Sequence, residues 1–443
     1  MSWLEENPHI RTIRVAAADL NGIARGKRVP TRFAQKVETD GTRFPLSVLN
    51  LDIWGEDIDD SPLVFESGDP DGVLRPTERG FVPMPWLGSP TALLPLWMYR
   101  ESGVPFDGDP RHALARVQAR AKDKGLTPVV ATEMEFYLVD DSGKDIRVPP
   151  SPRSGKRRPG AEVLSLRALD AWDIFFTDLY DACEAMDIPA DTAISEAGLG
   201  QFELNLVHQP DALKAADDAW LFKLLVKGLA RKHGFAASFM AKPYPDYAGN
   251  GMHMHFSMLD KDGRNIFDDG GARGTDKLRH AIAGCLEAVP GSSILFAPHG
   301  NSYDRLVPDA HAPTGLCWAY ENRTSAIRVP GGAPVARRIE HRVAGGDVNP
   351  YLMVAGILGA ALNGLEDGAE PPDPITGNAY DLDLPQMPSD WGSAIDAFEA
   401  SPEIARIFPE ELIRNLVLTK RQELHYYREL SDTEKVDLYL DTV

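Results

Sequence analysis

Cysteine is nearly absent: the chain has three, Cys183, Cys285 and Cys317, at no paired spacing. That excludes a disulfide framework and a cysteine-based zinc site, and it suits the cytoplasm. Long apolar runs are missing as well. The longest, such as Tyr351–Leu362, are far short of a bilayer span and are interrupted by glycine, so no membrane association is expected. A secretory leader is not expected either, because Glu5, Glu6 and Pro8 stand where a basic end and an apolar run would be. Basic charge is in deficit, with 46 Lys and Arg against 66 Asp and Glu and a net charge of −20. Such a chain lacks the footprint of a general nucleic-acid binder and favours cationic ligands, if only weakly. Neither a Gly-x-x-x-x-Gly-Lys-Ser/Thr loop nor a dinucleotide fingerprint occurs, so any nucleotide must be held in another way.

At 443 residues the chain exceeds one ordinary core, and two domains, or one large domain with a small attachment, are expected. The first hundred residues read as strand and turn. His9–Asp19 is β-rich, Asn21-Gly22 is a hairpin-type turn, and Ala24–Val29 returns. Pro105–Pro110 reads as a boundary, which sets domains at 1–106 and 107–443. Beyond it helices and strands alternate. A helix is expected over Arg111–Gly125, a strand over Thr127–Asp140, and helices over Leu166–Met186 and Asp211–His233, the last closed by Gly234. Leu221, Leu224, Leu225 and Leu229 recur at helical spacing and form a core stripe. Val148–Gly160, rich in Pro, Ser, Arg and Lys, reads as a surface loop near the mouth of a site.

Four short strands put chemistry on one face. In Thr132–Leu138 the period of two places Glu133 and Glu135 together, opposite Met134, Phe136 and Leu138. Gln201–Leu206 groups Gln201, Glu203 and Asn205, and Met252–Met258 groups His253, His255 and Ser257. Arg338–Arg342 groups Arg338, Glu340 and Arg342. One polar face is ordinary for a half-exposed strand. Paired carboxylates two residues apart repel each other, however, and a metal ion relieves that repulsion. With Glu196 from the Gly-rich stretch Ser195–Gly200 the set is five carboxylates and one or two histidines, which suits Mg²⁺ or Mn²⁺ better than tetrahedral zinc. Arg305, Arg323, Arg328, Arg338 and Arg342 supply counter-charge for phosphate and carboxylate oxygens. Metal ligands and several arginines in one concave sheet imply phosphoryl transfer.

These residues resemble the glutamine synthetase family over nearly the whole chain. Thr132–Phe136 is similar to its first metal strand, and Glu196-Ala-Gly-Leu-Gly-Gln-Phe-Glu203 to its Glu…Gly-Gln-x-Glu motif. Gly249-Asn-Gly-Met-His253-Met-His255-Phe-Ser257 resembles its Gly-Ser-Gly-Met-His-x-His-x-Ser strand. Asn301–Pro308 and Asn322–Pro330 resemble its arginine loops, Ala336–Arg342 its last metal strand, and Asn349–Leu352 the helix start that follows.

The resemblance implies an α+β fold: a small N-terminal β-grasp domain, then a catalytic domain whose curved antiparallel sheet is flanked by helices. It also implies rings with sites at subunit interfaces, commonly dodecamers in bacteria. Glu135, Glu196 and Glu203 are implied as ligands of one metal, and Glu133, His253 and Glu340 as ligands of a second, with two or three ions per site. His255, Ser257, Arg328 and Arg338 match nucleotide contacts. Gly249, Arg305 and Arg342 match glutamate contacts, and Arg323 the arginine that stabilises the transferring phosphoryl group. The implied reaction passes the γ-phosphate of ATP to the γ-carboxylate of L-glutamate, after which an amine displaces phosphate.

Departures from the family gather at the amine end. The family's Arg-Leu-Val-Pro-Gly-Tyr-Glu-Ala-Pro is here Arg305-Leu-Val-Pro308-Asp-Ala-His311-Ala-Pro313, with His311 at the position of the Glu that helps bind and deprotonate ammonium. Imidazole accepts a proton but offers no fixed negative charge. Ala248 replaces the usual Asn. The family's ammonium-site Asp, on a neighbouring subunit, has only Asp52 as a weak match. Tyr380 stands where some members are modified, but its surroundings differ and it reads as a loop residue. The expectation is a γ-glutamylpolyamine or γ-glutamyl-alkylamide synthetase serving amine catabolism. The alternatives are a glutamine synthetase using ammonia and an inactive member acting in binding or structure.

Overall fold

The structure is a computed structural model that describes residues 3–157, 160, 162–307 and 312–443. The N-terminal part forms a six-stranded sheet from β1 (Thr12–Ala18), β2 (Ala24–Pro30), β3 (Thr42–Pro45), β4 (Asp71–Pro76), β5 (Val82–Pro83) and β6 (Thr91–Tyr99). Its order is β2-β1-β6-β4-β3, with β5 also on β6. The Asn21-Gly22 turn joins β1 to β2 as the sequence implies, and Gly22 takes the left-handed conformation there, φ 79°.

The second sheet has eight strands: β7 (Thr127–Val139), β8 (Ala190–Ser195), β9 (Gln201–Leu206), β10 (Ala236–Ser238), β11 (Met252–Leu259), β12 (Trp318–Tyr320), β13 (Ile327–Val329) and β14 (Ile339–His341). Its order is β12-β13-β14-β11-β7-β9-β8, with β10 beside β7, and all pairs but β12–β13 are antiparallel. The four strands singled out by their polar faces are therefore consecutive neighbours: β14, β11, β7, β9.

Their apolar faces explain why. Met134, Phe136, Phe202, Leu204, Met252, Met254 and Phe256 are all buried in one core with Trp220, Leu221, Phe222 and Leu225 of the helix Ala212–Lys232. Each large side chain so buried contributes roughly 1.5–3 kcal/mol, which locks the register and keeps the polar face outward. That helix begins on an Asp211 cap and ends before Gly234 at φ 84°, as expected. Behind it the helices Asp276–Phe296 and Pro350–Asp367 cross closely at Gly284 and Gly364. A Cβ on Gly364 would stand 2.0 Å from the His280 carbonyl oxygen, so neither helix tolerates a side chain there.

One expectation needs correction. Leu166–Met186 is not one helix but two, Leu166–Asp170 and Asp173–Ala185. The break falls at Trp172, whose ring is buried edge-on against Phe202 and Phe235 (6.3 and 5.0 Å between centroids). Seating that indole overrides a continuous helical pattern.

Buried polar contacts tie the β1–β2 turn to the rest of the chain. From the helix Glu410–Tyr427, Glu423 Oε1 accepts from Asn21 Nδ2 at 2.7 Å and Lys420 Nζ donates to Asn21 Oδ1, while Asn349 Nδ2 donates to the Asp19 carbonyl at 2.9 Å. No helix among the described residues is long and apolar enough to cross a membrane.

Candidate active site

Cross-strand register builds the site. Glu135 lies directly opposite Glu203 on β9, Glu133 opposite His253 on β11, and His255 opposite Glu340 on β14. Two groups of side chains result.

The first group is Glu135, Glu196 and Glu203, with one oxygen of each within 4.8 Å of the others. Glu196 reaches it from the bend just after β8. The Gly251 N–H donates to Glu135 Oε2 at 2.6 Å and orients that carboxylate. Among the described residues, neither Glu135 nor Glu203 has a cationic side chain at ion-pair distance. Burial, then the charge of Glu196, pushes the Glu135 carboxyl up to about 7. Burial, then Glu133, Glu135 and Glu196, pushes Glu203 up to about 9. Without a cation these groups hold protons that ordinary carboxylic acids would have lost.

The second group is compensated from within. Glu133 lies 3.1 Å from His253 Nδ1 and 2.8 Å from His255 Nε2. Against the desolvation of burial, these hydrogen bonds hold the Glu133 carboxyl well below the usual range. Arg338 Nε donates to His255 Nδ1 at 3.1 Å. A guanidinium can only donate, so a neutral His255 carries its proton on Nε2, facing Glu133. Glu340 is fully buried and receives Arg328 Nη1 at 2.7 Å and Arg342 Nη1. Glu133, His255 and Glu340 form the compact triple here, whereas the resemblance implies His253 as the imidazole. His253 borders the same place, 3.9 Å from Glu340, and burial, then Arg342, lowers its pKa so that it stays neutral.

Arg305 sits at the end of the one-turn helix Ser302–Arg305 and donates from Nη1 to the Val343 carbonyl at 2.8 Å. Its stem lies across Gly249, where a Cβ would stand 2.8 Å from Arg305 Cγ and 2.4 Å from the Ala241 carbonyl. Gly249 thus makes room for the arginine. Ser257 is half-buried on β11 beyond His255. Arg323 is exposed in the turn between β12 and β13 and forms no ion pair with the described residues. His311 lies outside the described residues, as does Pro308. Asp52 uses both carboxylate oxygens locally, accepting from the Trp54 and Glu56 amides and from Gln422 Nε2. Tyr380 lies in a short turn after Asn378, as expected of a loop residue.

His208 escapes the sequence reading. It follows β9, its ring is 6.3 Å from that of His255, and it lies one residue out of step with the Gln201, Glu203, Asn205 alternation. A period-two pattern offers no signal for it.

Five carboxylates and neutral imidazole, one group of them starved of cations, fit hard divalent ions. The side chains alone do not name the chemistry, and known proteins narrow it. Residues 107–439 match the family model for the glutamine synthetase catalytic domain. The chain is 36% identical to γ-glutamylputrescine synthetase of Escherichia coli, over 98% of this chain and 92% of that one. It is 32% identical to γ-glutamylethanolamide synthetase of Streptomyces coelicolor (94% and 89% covered). It is 30% identical to glutamate–isopropylamine ligase of a Pseudomonas species (99% and 96% covered). A solved structure of GmaS with ADP superposes with a TM-score of 0.85 at 29% identity, covering 98% of this chain and 97% of that one.

Proposed function

The chain belongs to the glutamine synthetase family, has its fold and is a carbon–nitrogen ligase, and we propose that it joins the γ-carboxyl of L-glutamate to an amine larger than ammonium, a polyamine such as putrescine or a simple alkylamine. The observation that carries this reading is the completeness of the carboxylate, imidazole and arginine array across β14, β11, β7 and β9, set against His311 and Ala248 at the amine end. The relatives whose names specify putrescine, ethanolamide and isopropylamine products or substrates support it.

In this reading Glu135, Glu196 and Glu203 would hold one divalent ion, and Glu133, His253 and Glu340 another. His253 is preferred to His255 as ligand because Arg338 keeps a proton on the His255 nitrogen that faces Glu133. When bound, such ions offset charge on phosphoryl oxygens. His255, Ser257, Arg328 and Arg338 face ATP. Arg305, seated on Gly249, and Arg342 hold the carboxylates of glutamate. A γ-carboxylate oxygen attacks the γ-phosphorus and ADP leaves, with Arg323 swinging in to stabilise the transferring group. The amine nitrogen then attacks the acyl carbon, phosphate leaves, and His311 takes the amine proton. Residues 1–106 form a separate β-grasp domain that meets the catalytic domain of a neighbour in a ring, where the site is completed.

The test is phosphate release from ATP plus glutamate across mono-, di- and polyamines and ammonium. The best amine should exceed ammonium in kcat/KM by at least about tenfold, about 1.4 kcal/mol, and His311→Glu should narrow that gap. Faster turnover of ammonium than of every other amine would make the protein a glutamine synthetase proper.

A further inference from the structure

Arg305 is presented by a single helical turn with no side-chain cap, too short to hold its own shape. What fixes it lies behind the site. Ser302 Oγ donates to Asp347 Oδ2 at 2.5 Å and accepts from the His299 N–H at 3.0 Å. Ser302 and Asp347 are 2% and 1% exposed, so water does not compete for these bonds.

Asp347 follows β14 in the stretch that also carries Arg342 and Val343, and the Val343 carbonyl receives Arg305 Nη1. The two ends of Arg305 are therefore referred to one segment: its main chain through Ser302 and its guanidinium through Val343. Asp347 Oδ1 has no hydrogen-bond partner among the described residues, although the residue is buried. A buried carboxylate with an unsatisfied oxygen costs stability, so packing does not account for it. Burial pushes the Asp347 carboxyl up, while the Ser302 bond and the charges of Lys223 and Arg305 oppose that.

We propose that Asp347 is a positioning residue for Arg305: through Ser302 it fixes the turn that aims the guanidinium, and so sets how tightly the acid substrate is held. The inference rests on the reading of Arg305 as a holder of glutamate.

The experiment compares Ser302→Ala, Asp347→Ala and Asp347→Asn. The amide of Asp347→Asn still offers Ser302 an acceptor. Ser302→Ala and Asp347→Ala should raise KM for glutamate about tenfold, with kcat and KM for ATP within about threefold, while Asp347→Asn stays near wild type. Amide hydrogen exchange over 299–305, read without turnover, should quicken about tenfold in the two alanine variants and not in Asp347→Asn. Ser302→Ala decides the matter alone if Asp347→Ala does not fold. An unmoved KM for glutamate with unchanged exchange overturns the proposal, and so does Asp347→Asn behaving like Asp347→Ala. Wild-type protein without glutamate-dependent turnover would instead overturn the functional reading, and the exchange data would still judge Asp347.

Discussion

The two ligand groups are neighbours on one sheet, yet they solve the same electrostatic problem in opposite ways. Around Glu133 and Glu340 the protein supplies its own compensation, with two imidazoles on one carboxylate and two guanidinium groups on the other. Around Glu135 and Glu203 it supplies the Gly251 N–H, a long 3.4 Å bond from Gln201 Nε2 and the more distant charges of Arg305 and Arg342, set against more carboxylate. The first arrangement folds without help. The second stores repulsion that only protons or a cation relieve, which makes it the place where an ion most changes the energy of the folded state. Arg328 and Arg342, tied to Glu340 in the ion-free protein, are also residues assigned to ATP and glutamate.

Glutamine substitutions in the two groups should break this comparison if it is false. Glu203→Gln and Glu340→Gln should both lower kcat by about a thousandfold or more, about 4 kcal/mol, since each removes a proposed metal ligand. Their stabilities should diverge. In chelator at pH 8, Glu340→Gln leaves the buried Arg342 guanidinium without its carboxylate and Arg328 with only the 3.5 Å pair to Glu321, and should destabilise by about 3–5 kcal/mol. Glu203→Gln removes a repelled acid and should raise the melting temperature. Thermal melts of both proteins measure this, and a fall in both would show the groups to be equivalent.

The sequence made much of this contrast readable, and physical reasons mark where it stopped. Same-face pairing of Glu133 with Glu135, or of His253 with His255, is a local property of any strand and can be read from alternation alone. Adjacency of the four strands came only through the family resemblance, because order in a sheet is set by tertiary packing. The pairing of Glu340 with Arg328 depends on cross-strand register, and so does the Arg338 contact that fixes the proton on His255. Neither has a signature in spacing. His208 lies past the end of the alternation, and the break at Trp172 interrupts a stretch whose own pattern is helical. Ser302 and Asp347, 45 residues apart, are likewise joined only by the tertiary fold.

The smallest effect is the most discriminating, because it isolates the proton that a cation must displace. Glu203 ionises near 9 in the folded, ion-free protein and near 4.5 in the unfolded chain. Between those values the folded state binds the extra proton, so the stability this group contributes is complete below about 4.5 and is lost as pH rises toward 9. A divalent ion needs the ionised form, and below 7 it must displace a proton from Glu135 as well. At fixed Mn²⁺ or Mg²⁺ the ion should therefore bind about tenfold more tightly per pH unit between 7 and 9, about 1.4 kcal/mol per unit, and more steeply between 6 and 7. The gain in melting temperature on adding the ion should widen across the same window, even as the ion-free protein loses stability. In Glu203→Gln the slope above 7 should flatten, because the group that titrates there is gone. A wild-type ion gain independent of pH would mean that the cluster is already ionised, and that its crowding is relieved by something other than the ion.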